Sequence, residues 1–224
     1  MVLGIYGSGG LGREVLDIAK EINGFSDTWD KIVFINDNKK QDIVNGANVF
    51  TFDEFAAAYN ADDAKIVIAV GEPKIRQVLR EKSAMNGYSL QTLIHPTAFV
   101  GGETQLGDGV IVQFGCFVSC NVIIGDNVLL QPNSCVGHDS VIGADAVISS
   151  CVAISGTCTI GERAYIGVSA PVKENITIGA DSIVGMGSVV IRDIPEKVIA
   201  LGNPARVIKD NESGRVFKNA EGRE

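Results

Sequence analysis

The chain has 224 residues, 46% hydrophobic and 21% charged, with 26 glycines and only 6% aromatics. That balance excludes a disordered chain, and no apolar run comes near the roughly 18 residues of a membrane helix. A net charge of −8 argues against a general nucleic-acid surface, so anionic ligands must be held locally by backbone N–H groups and a few Lys or Arg.

The opening MVLGIYGSGG lacks the basic stretch of a secretory leader, so a cytoplasmic protein is expected. Residues 1–93 alternate strands and helices. Val2–Gly7 reads as a strand running into GSGGLG, and Arg13–Ile22 as a helix with Val15, Leu16, Ile18, Ala19 and Ile22 on one face. Lys31–Asp37 is a second strand, Phe52–Tyr59 a short helix, Lys65–Gly71 a third strand, and Pro73 opens a helix to about Met85. This predicts a small parallel α/β layer of three or four strands. Gly7-Ser-Gly9-Gly-Leu-Gly12 matches G-x-G-x-x-G, with Asp37 ending the next strand. Physically, such a loop lets backbone N–H groups reach a phosphate at a helix N-terminus. A dinucleotide site shares that loop, but it needs a larger sheet than this segment supplies.

From Ile94 an aliphatic residue recurs at every sixth position as far as Val190, always Ile, Leu or Val, and Gly follows nine of the 17. Six fits neither a helix nor a plain strand. It fits a β-solenoid with three short sides per 18-residue coil. The residue four after each aliphatic is usually small or branched, as at Ala98, Thr104, Cys116, Ser134 and Ser140. It lies two before the next aliphatic, so both point inward. At about 4.8 Å per coil, the five to six coils make a prism roughly 27 Å tall. The solenoid is expected to end near Ile194-Pro195, within a domain spanning 94–208, with a loose charged tail over 209–224. Cys116, Cys120, Cys135, Cys151 and Cys158 show no C-x-x-C spacing and read as free thiols.

The hexad register followed by Gly202-Asn-Pro-Ala-Arg206 resembles the hexapeptide-repeat acyltransferases. YGSGGLGREVLDIA, FIND and IAVG-x4-R resemble the front half of their sugar acetyltransferase branch. That branch includes UDP-4-amino-sugar N-acetyltransferases and sialic acid O-acetyltransferases. The resemblance implies a Rossmann-like nucleotide-sugar domain, a left-handed parallel β-helix, a homotrimer and acetyl-CoA as co-substrate. It implies acetyl transfer to the amine of a nucleotide-linked 4-amino-4,6-dideoxy sugar, with sialic-acid-type O-acetylation as the alternative. A non-catalytic binding solenoid is the rival from another class.

The family's catalytic histidine and the acid after it fall on His138 and Asp139, at a solenoid corner where both can project outward. An imidazole with an ordinary pKa takes an amine proton at neutral pH, and a neighbouring carboxylate orients it. His95, before Pro96 at the domain junction, reads as structural. Two histidines cannot supply the three ligands of the hexapeptide-repeat carbonic anhydrases, so no metal is expected. Nucleotide-sugar contacts carry over to Gly9, Gly10, Leu11, Asn36, Asp37 and Gly71. CoA contacts carry over to Val147, Val168 and Met186, taken as corner residues, with Arg206 near a CoA phosphate. Relatives often have His at the positions of Leu11 and Val147, the second reaching the acetyl carbonyl, so this chain departs from them at both.

Overall fold

The computed structural model describes residues 1–217. Its first domain runs β1 (Val2–Tyr6), α1 (Gly10–Ser26), β2 (Lys31–Ile35), β3 (Ile43–Val44), β4 (Ala47–Phe50), α2 (Phe52–Ala58), β5 (Ala64–Ile68) and α3 (Pro73–Met85). The sheet order is β3-β4-β2-β1-β5, with β1 parallel to both β2 and β5. This five-stranded sheet exceeds the three or four strands expected. The addition is the β3–β4 hairpin, whose turn residues Asn45 and Gly46 have φ of 46° and 80°.

The local chemistry of each helix matches its bounds. Val15, Leu16, Ile18 and Ala19 of α1 are buried, and Gly12 is obligatory because a Cβ there would stand 2.0 Å from the Gly7 carbonyl oxygen. Thr51 and Glu54 form a capping box on α2. Pro73 opens α3 at its first turn.

From β6 (Leu93–Ile94) to β21 (Ile183–Val184) the chain makes two-residue strands that stack in parallel, each pairing with the strand 18 residues on. They build three faces. The first holds Leu93–Ile94, Ile111–Val112, Leu129–Leu130, Val147–Ile148, Tyr165–Ile166 and Ile183–Val184. The second begins at Phe99–Val100 and the third at Gln105–Leu106. The second residue of each strand and the residue two before it fill the core, as Val136 with Ser134 and Ile148 with Ala146. Each inward Ile or Val contributes roughly 1.5–3 kcal/mol by its burial. The corners also repeat: every sixth residue from Glu103 to Gly187 has φ between 55° and 74°, a left-handed position filled mostly by Asn, Asp or Gly. The whole is a left-handed parallel β-helix following an α/β domain.

The first domain packs on the first face, where Leu93, Ile111, Leu129 and Val147 join Leu3, Val15, Leu16 and Phe34 in one cluster. Arg76, the arginine of IAVG-x4-R, fastens the joint. Fully buried, it donates to the carbonyls of Ile68 (2.7 Å), Val70 (3.0 Å) and Asn127 (2.9 Å) and to Asn127 Oδ1 (2.8 Å). Beside it Arg80 pairs with buried Asp145 at 2.7 Å.

The segment after the solenoid is not loose. β22 (Val198–Leu201) pairs antiparallel with β23 (Arg206–Asp210), and the backbone N–H groups of Val216 and Phe217 donate to Glu72 at 3.1 and 2.9 Å. Glu72 is itself buried, and Phe217 also stands edge-on to Tyr165 with ring centroids 5.7 Å apart. Residues 218–224 of the expected tail lie outside the described residues.

Candidate active site

His138 stands on the edge between the second and third faces, in the corner after Cys135–Val136. Its side chain is 60% exposed, and Nδ1 lies 2.7 Å from Asp139 Oδ2. Asp139 occupies a left-handed position, φ 58°, which turns its side chain out of the core alongside the ring. Its other oxygen accepts from Asn121 Nδ2 at 3.1 Å, one coil below. Both bonds hold the Asp139 carboxyl below its ordinary pKa, the one from His138 contributing most, so it stays ionised. The ring leans over the next coil: a Cβ on Gly156 would stand 2.7 Å from its Cε1 and Nε2. One ring nitrogen is therefore anchored to a carboxylate while Nε2 lies against bare backbone. An imidazole so held accepts a proton at Nε2, and the carboxylate stabilises the imidazolium. The resemblance pointed to the pair, but it gave neither Asn121 nor Gly156. Their signal was the 18-residue offset from Asp139 and His138.

At the start of α1 a cavity of about 320 Å³ is lined by Ser8, Gly9, Arg13, Asn36, Asn38, Lys40, Gln41 and Val44. Gly9 is the N-cap of α1, with no side chain between the helix terminus and the opening. Arg13 and Lys40 have no ion-pair partner among the described residues, so they stand ready for an anion. Of the six residues carried over for the nucleotide sugar, Gly9 and Asn36 line this cavity. Gly10 borders open space, Leu11 packs on the hydrophobic core, and Gly71 faces Phe217. Asp37 is otherwise engaged: it accepts from the Tyr6 hydroxyl (2.5 Å), Lys82 Nζ (2.9 Å) and the Phe52 backbone N–H (2.9 Å). Burial and the Asp37 bond push the Tyr6 phenol up to about 12. Arg13, Asn38, Lys40 and Gln41 were missed. The polar run Asn36–Gln41 after the second strand was the signal for the last three, and Arg13's place in the first turn of the helix after the glycine loop for the first.

Val168 and Met186 are corner residues as expected, 39% and 79% exposed, on the edge between the first and second faces. They stack, with Gly187 N–H donating to the Val168 carbonyl at 2.8 Å. Val147 is not on a corner. It precedes the inward Ile148, so it points outward from the first face, and the α/β domain covers it to 1% exposure. It cannot offer a cofactor contact there. Arg206 opens β23 and is exposed. His95 is buried at the junction, with Nε2 3.1 Å from Glu21 and Nδ1 2.8 Å from Thr97 Oγ1. A further hollow, about 650 Å³, lies along the returning C-terminal strand on the first face, opposite the His138 edge.

Comparison with known proteins bears on both domains. The family described as PglD N-terminal domain matches residues 2–83, the bacterial transferase hexapeptide family matches 121–156, and the hexapeptide repeat of succinyl-transferase matches 157–192. GDP-perosamine N-acetyltransferase of Escherichia coli O157:H7 is 32% identical over 122 residues, 54% of this chain and 55% of that protein. UDP-N-acetylbacillosamine N-acetyltransferase of Bacillus subtilis is 32% identical over 112 residues, 49% of this chain and 50% of that protein. The alignments thus span about half the length of these curated relatives. The acetyltransferase domain of PglB from Neisseria gonorrhoeae superposes with a TM-score of 0.87 at 32% identity, covering 92% of this chain and 99% of that one. PerB from Caulobacter crescentus, in complex with CoA and GDP-perosamine, superposes with a TM-score of 0.81 at 33% identity, covering 92% and 97%.

Proposed function

The chain belongs to the hexapeptide-repeat acetyltransferases that carry a PglD-type N-terminal domain, and from that membership we propose that it acetylates the amine of a nucleotide-linked 4-amino-4,6-dideoxy sugar, with acetyl-CoA as donor. The observation that carries this reading is the exposed His138 ring, anchored through Nδ1 to Asp139 and leaning over Gly156. The neutral amine attacks the thioester carbonyl carbon, and the carbonyl electron pair moves onto oxygen. His138 Nε2 takes the proton that the new C–N bond acidifies, while Asp139 stabilises the imidazolium. The tetrahedral intermediate collapses, the C–S bond breaks, and the CoA thiolate takes the proton back from His138.

Geometry favours an assembly in which two copies make each site. The nucleotide cavity belongs to the domain on the first face, whereas His138 is on the edge opposite that face. Val168 and Met186 lie on a different edge from His138, with the whole second face between. One chain cannot bring these parts together. A homotrimer with parallel prism axes sets the His138 edge of one copy beside the Val168–Met186 edge of the next.

The test follows release of CoA thiol from acetyl-CoA with GDP-perosamine, or with a UDP-linked 4-amino sugar, as acceptor. His138→Ala lowers the rate by about 10²–10⁴-fold, and CoA binding survives. Binding of the amino sugar without turnover in the wild type would favour the non-catalytic reading. Mixing His138→Ala with a Val168→Arg variant, each inactive alone, restores activity to about one site in four by random assortment of copies. No recovery on mixing refutes a shared site.

A further inference from the structure

A second cavity, of about 290 Å³, lies between α1 and the edge joining the first and second solenoid faces. We propose that it seats the amino sugar of the acceptor as a cation, held by Asp17 and Glu14, and that these carboxylates select an amine over a hydroxyl. The inference rests on the acetyl-transfer reading and adds residues to it.

Three observations carry it. The first is the charge order along α1. Arg13 lines the nucleotide cavity, whereas Glu14, Asp17 and Glu21 line the second one. Arg13, Asp17 and Glu21 follow each other at i, i+4 and i+8 on one side of the helix. At about 1.5 Å per residue, Asp17 is one turn, roughly 6 Å, beyond Arg13. The helix thus presents positive charge at its N-terminus and negative charge one turn on. A nucleotide-linked amino sugar has the same order in reverse sign, a diphosphate and then an ammonium across the pyranose ring. A sialic acid, with a carboxylate and hydroxyl acceptors, does not.

The second observation is unmet polarity. Glu21 is engaged with His95 at 3.1 Å and Glu14 with Gln113 Nε2 at 3.4 Å, while Asp17 has no hydrogen-bond or ion-pair partner among the described residues. Gln113 lines the cavity at 1% exposure, and its Oε1 has no hydrogen-bond partner. A buried amide oxygen left unpaired beside an opening is a group awaiting a donor, such as a sugar hydroxyl or ammonium.

The third is place. Phe114 and Pro132 of the cavity stand at the corner positions that Val168 and Met186 occupy further up the same edge. The cavity and the expected CoA contacts share one edge, end to end. The ammonium is the form that binds, and its neutral fraction is the form that attacks.

Calorimetry on the full chain tests this with GDP-perosamine against GDP-rhamnose, its 4-hydroxyl counterpart, and with the matching UDP-linked pair. The wild type should bind the amino member of one pair at least about tenfold more tightly, the size expected of a charged hydrogen bond. Asp17→Asn with Glu14→Gln erases that preference and leaves affinity for the free nucleoside diphosphate and acetyl-CoA unchanged. His138→Ala keeps the preference while losing turnover, which separates selection from catalysis. If the double variant still prefers the amine, or the wild type never did, the inference is overturned although acetyl transfer stands. If neither member of either pair binds and no thiol is released, acetyl transfer to such sugars falls and this inference with it.

Discussion

Gly156→Ala probes the imidazole without touching it. The added methyl would lie 2.7 Å from Cε1 and Nε2 of His138, where ordinary contacts begin at 3.4 Å. The ring must therefore retreat by about 0.7 Å or more, and a displacement near 1 Å at a reacting group costs on the order of 10²-fold in rate. Stability should hardly change, because the His138 side chain is 60% exposed and can swing into solvent. Gly102→Ala is the internal control, since it occupies the same corner three coils below and a Cβ there meets nothing within 4 Å. The assay is kcat/KM for thiol release beside a thermal melt for each variant. The expected result is about a hundredfold loss for Gly156→Ala, none for Gly102→Ala, and unchanged melting for both. Wild-type turnover by Gly156→Ala would show that the ring position seen here is not the one that works.

Asn121→Ala removes the 3.1 Å bond to Asp139, so kcat should fall about fivefold, equivalent to one hydrogen bond of about 1 kcal/mol, with KM unchanged. The fall in kcat at unchanged KM, with an unchanged thermal melt, separates positioning of the ring from a merely structural role, which would lower the melt instead. Arg76→Ala leaves the carbonyls of Ile68, Val70 and Asn127 buried without a donor, so urea denaturation should report a loss of about 3–5 kcal/mol. A loss under about 1 kcal/mol would mean that Arg76 does not fasten the joint.

The solenoid was legible because its physics repeats. Each coil must bury the same two positions per side, so one register governs the chain from Ile94 to Val190, and it also puts His138 on a corner. The same register placed Val147 beside an inward Ile148, and the outward row Leu93, Ile111, Leu129 and Val147 was a legible sign, passed over, that the first face would be covered. What left no local pattern is the fastening by Arg76, which reaches Asn127 across 51 residues of sequence. The β3–β4 hairpin was legible and was passed over: Asn45-Gly46 is the two-residue turn signature, obscured by strands only two and four residues long. The tail misled through composition, since the charges of Lys209, Asp210 and Glu212 suggested solvent while its partner, Glu72, is 144 residues from Val216. Asp37, carried over as a nucleotide-sugar contact, is bonded in this structure to Lys82 on α3 and to Tyr6, partners distant in the sequence that left no local signal.

The height of His138 on the prism ties these parts together. Along the edge between the first and second faces, Phe114, Pro132, Ser150, Val168 and Met186 are equivalent corner residues, each one coil above the last. At about 4.8 Å per coil this is a track of roughly 19 Å. On the proposed reading, the acceptor enters from the Phe114 end and the thioester from the Met186 end, so they meet between Pro132 and Ser150. His138 falls between those residues in the chain and therefore at that height on its own edge. In a trimer whose axis parallels the prisms, all copies share their heights, so a neighbour's His138 reaches the track at the level where amine and thioester meet. The buried hydroxyl of Ser149, which has no hydrogen-bond partner, lies at the same level. A slip of one coil between neighbours moves the imidazole by about 4.8 Å, beyond the reach of any proton transfer. On the proposed reading, activity therefore depends on register between copies as strictly as the fold depends on register within one.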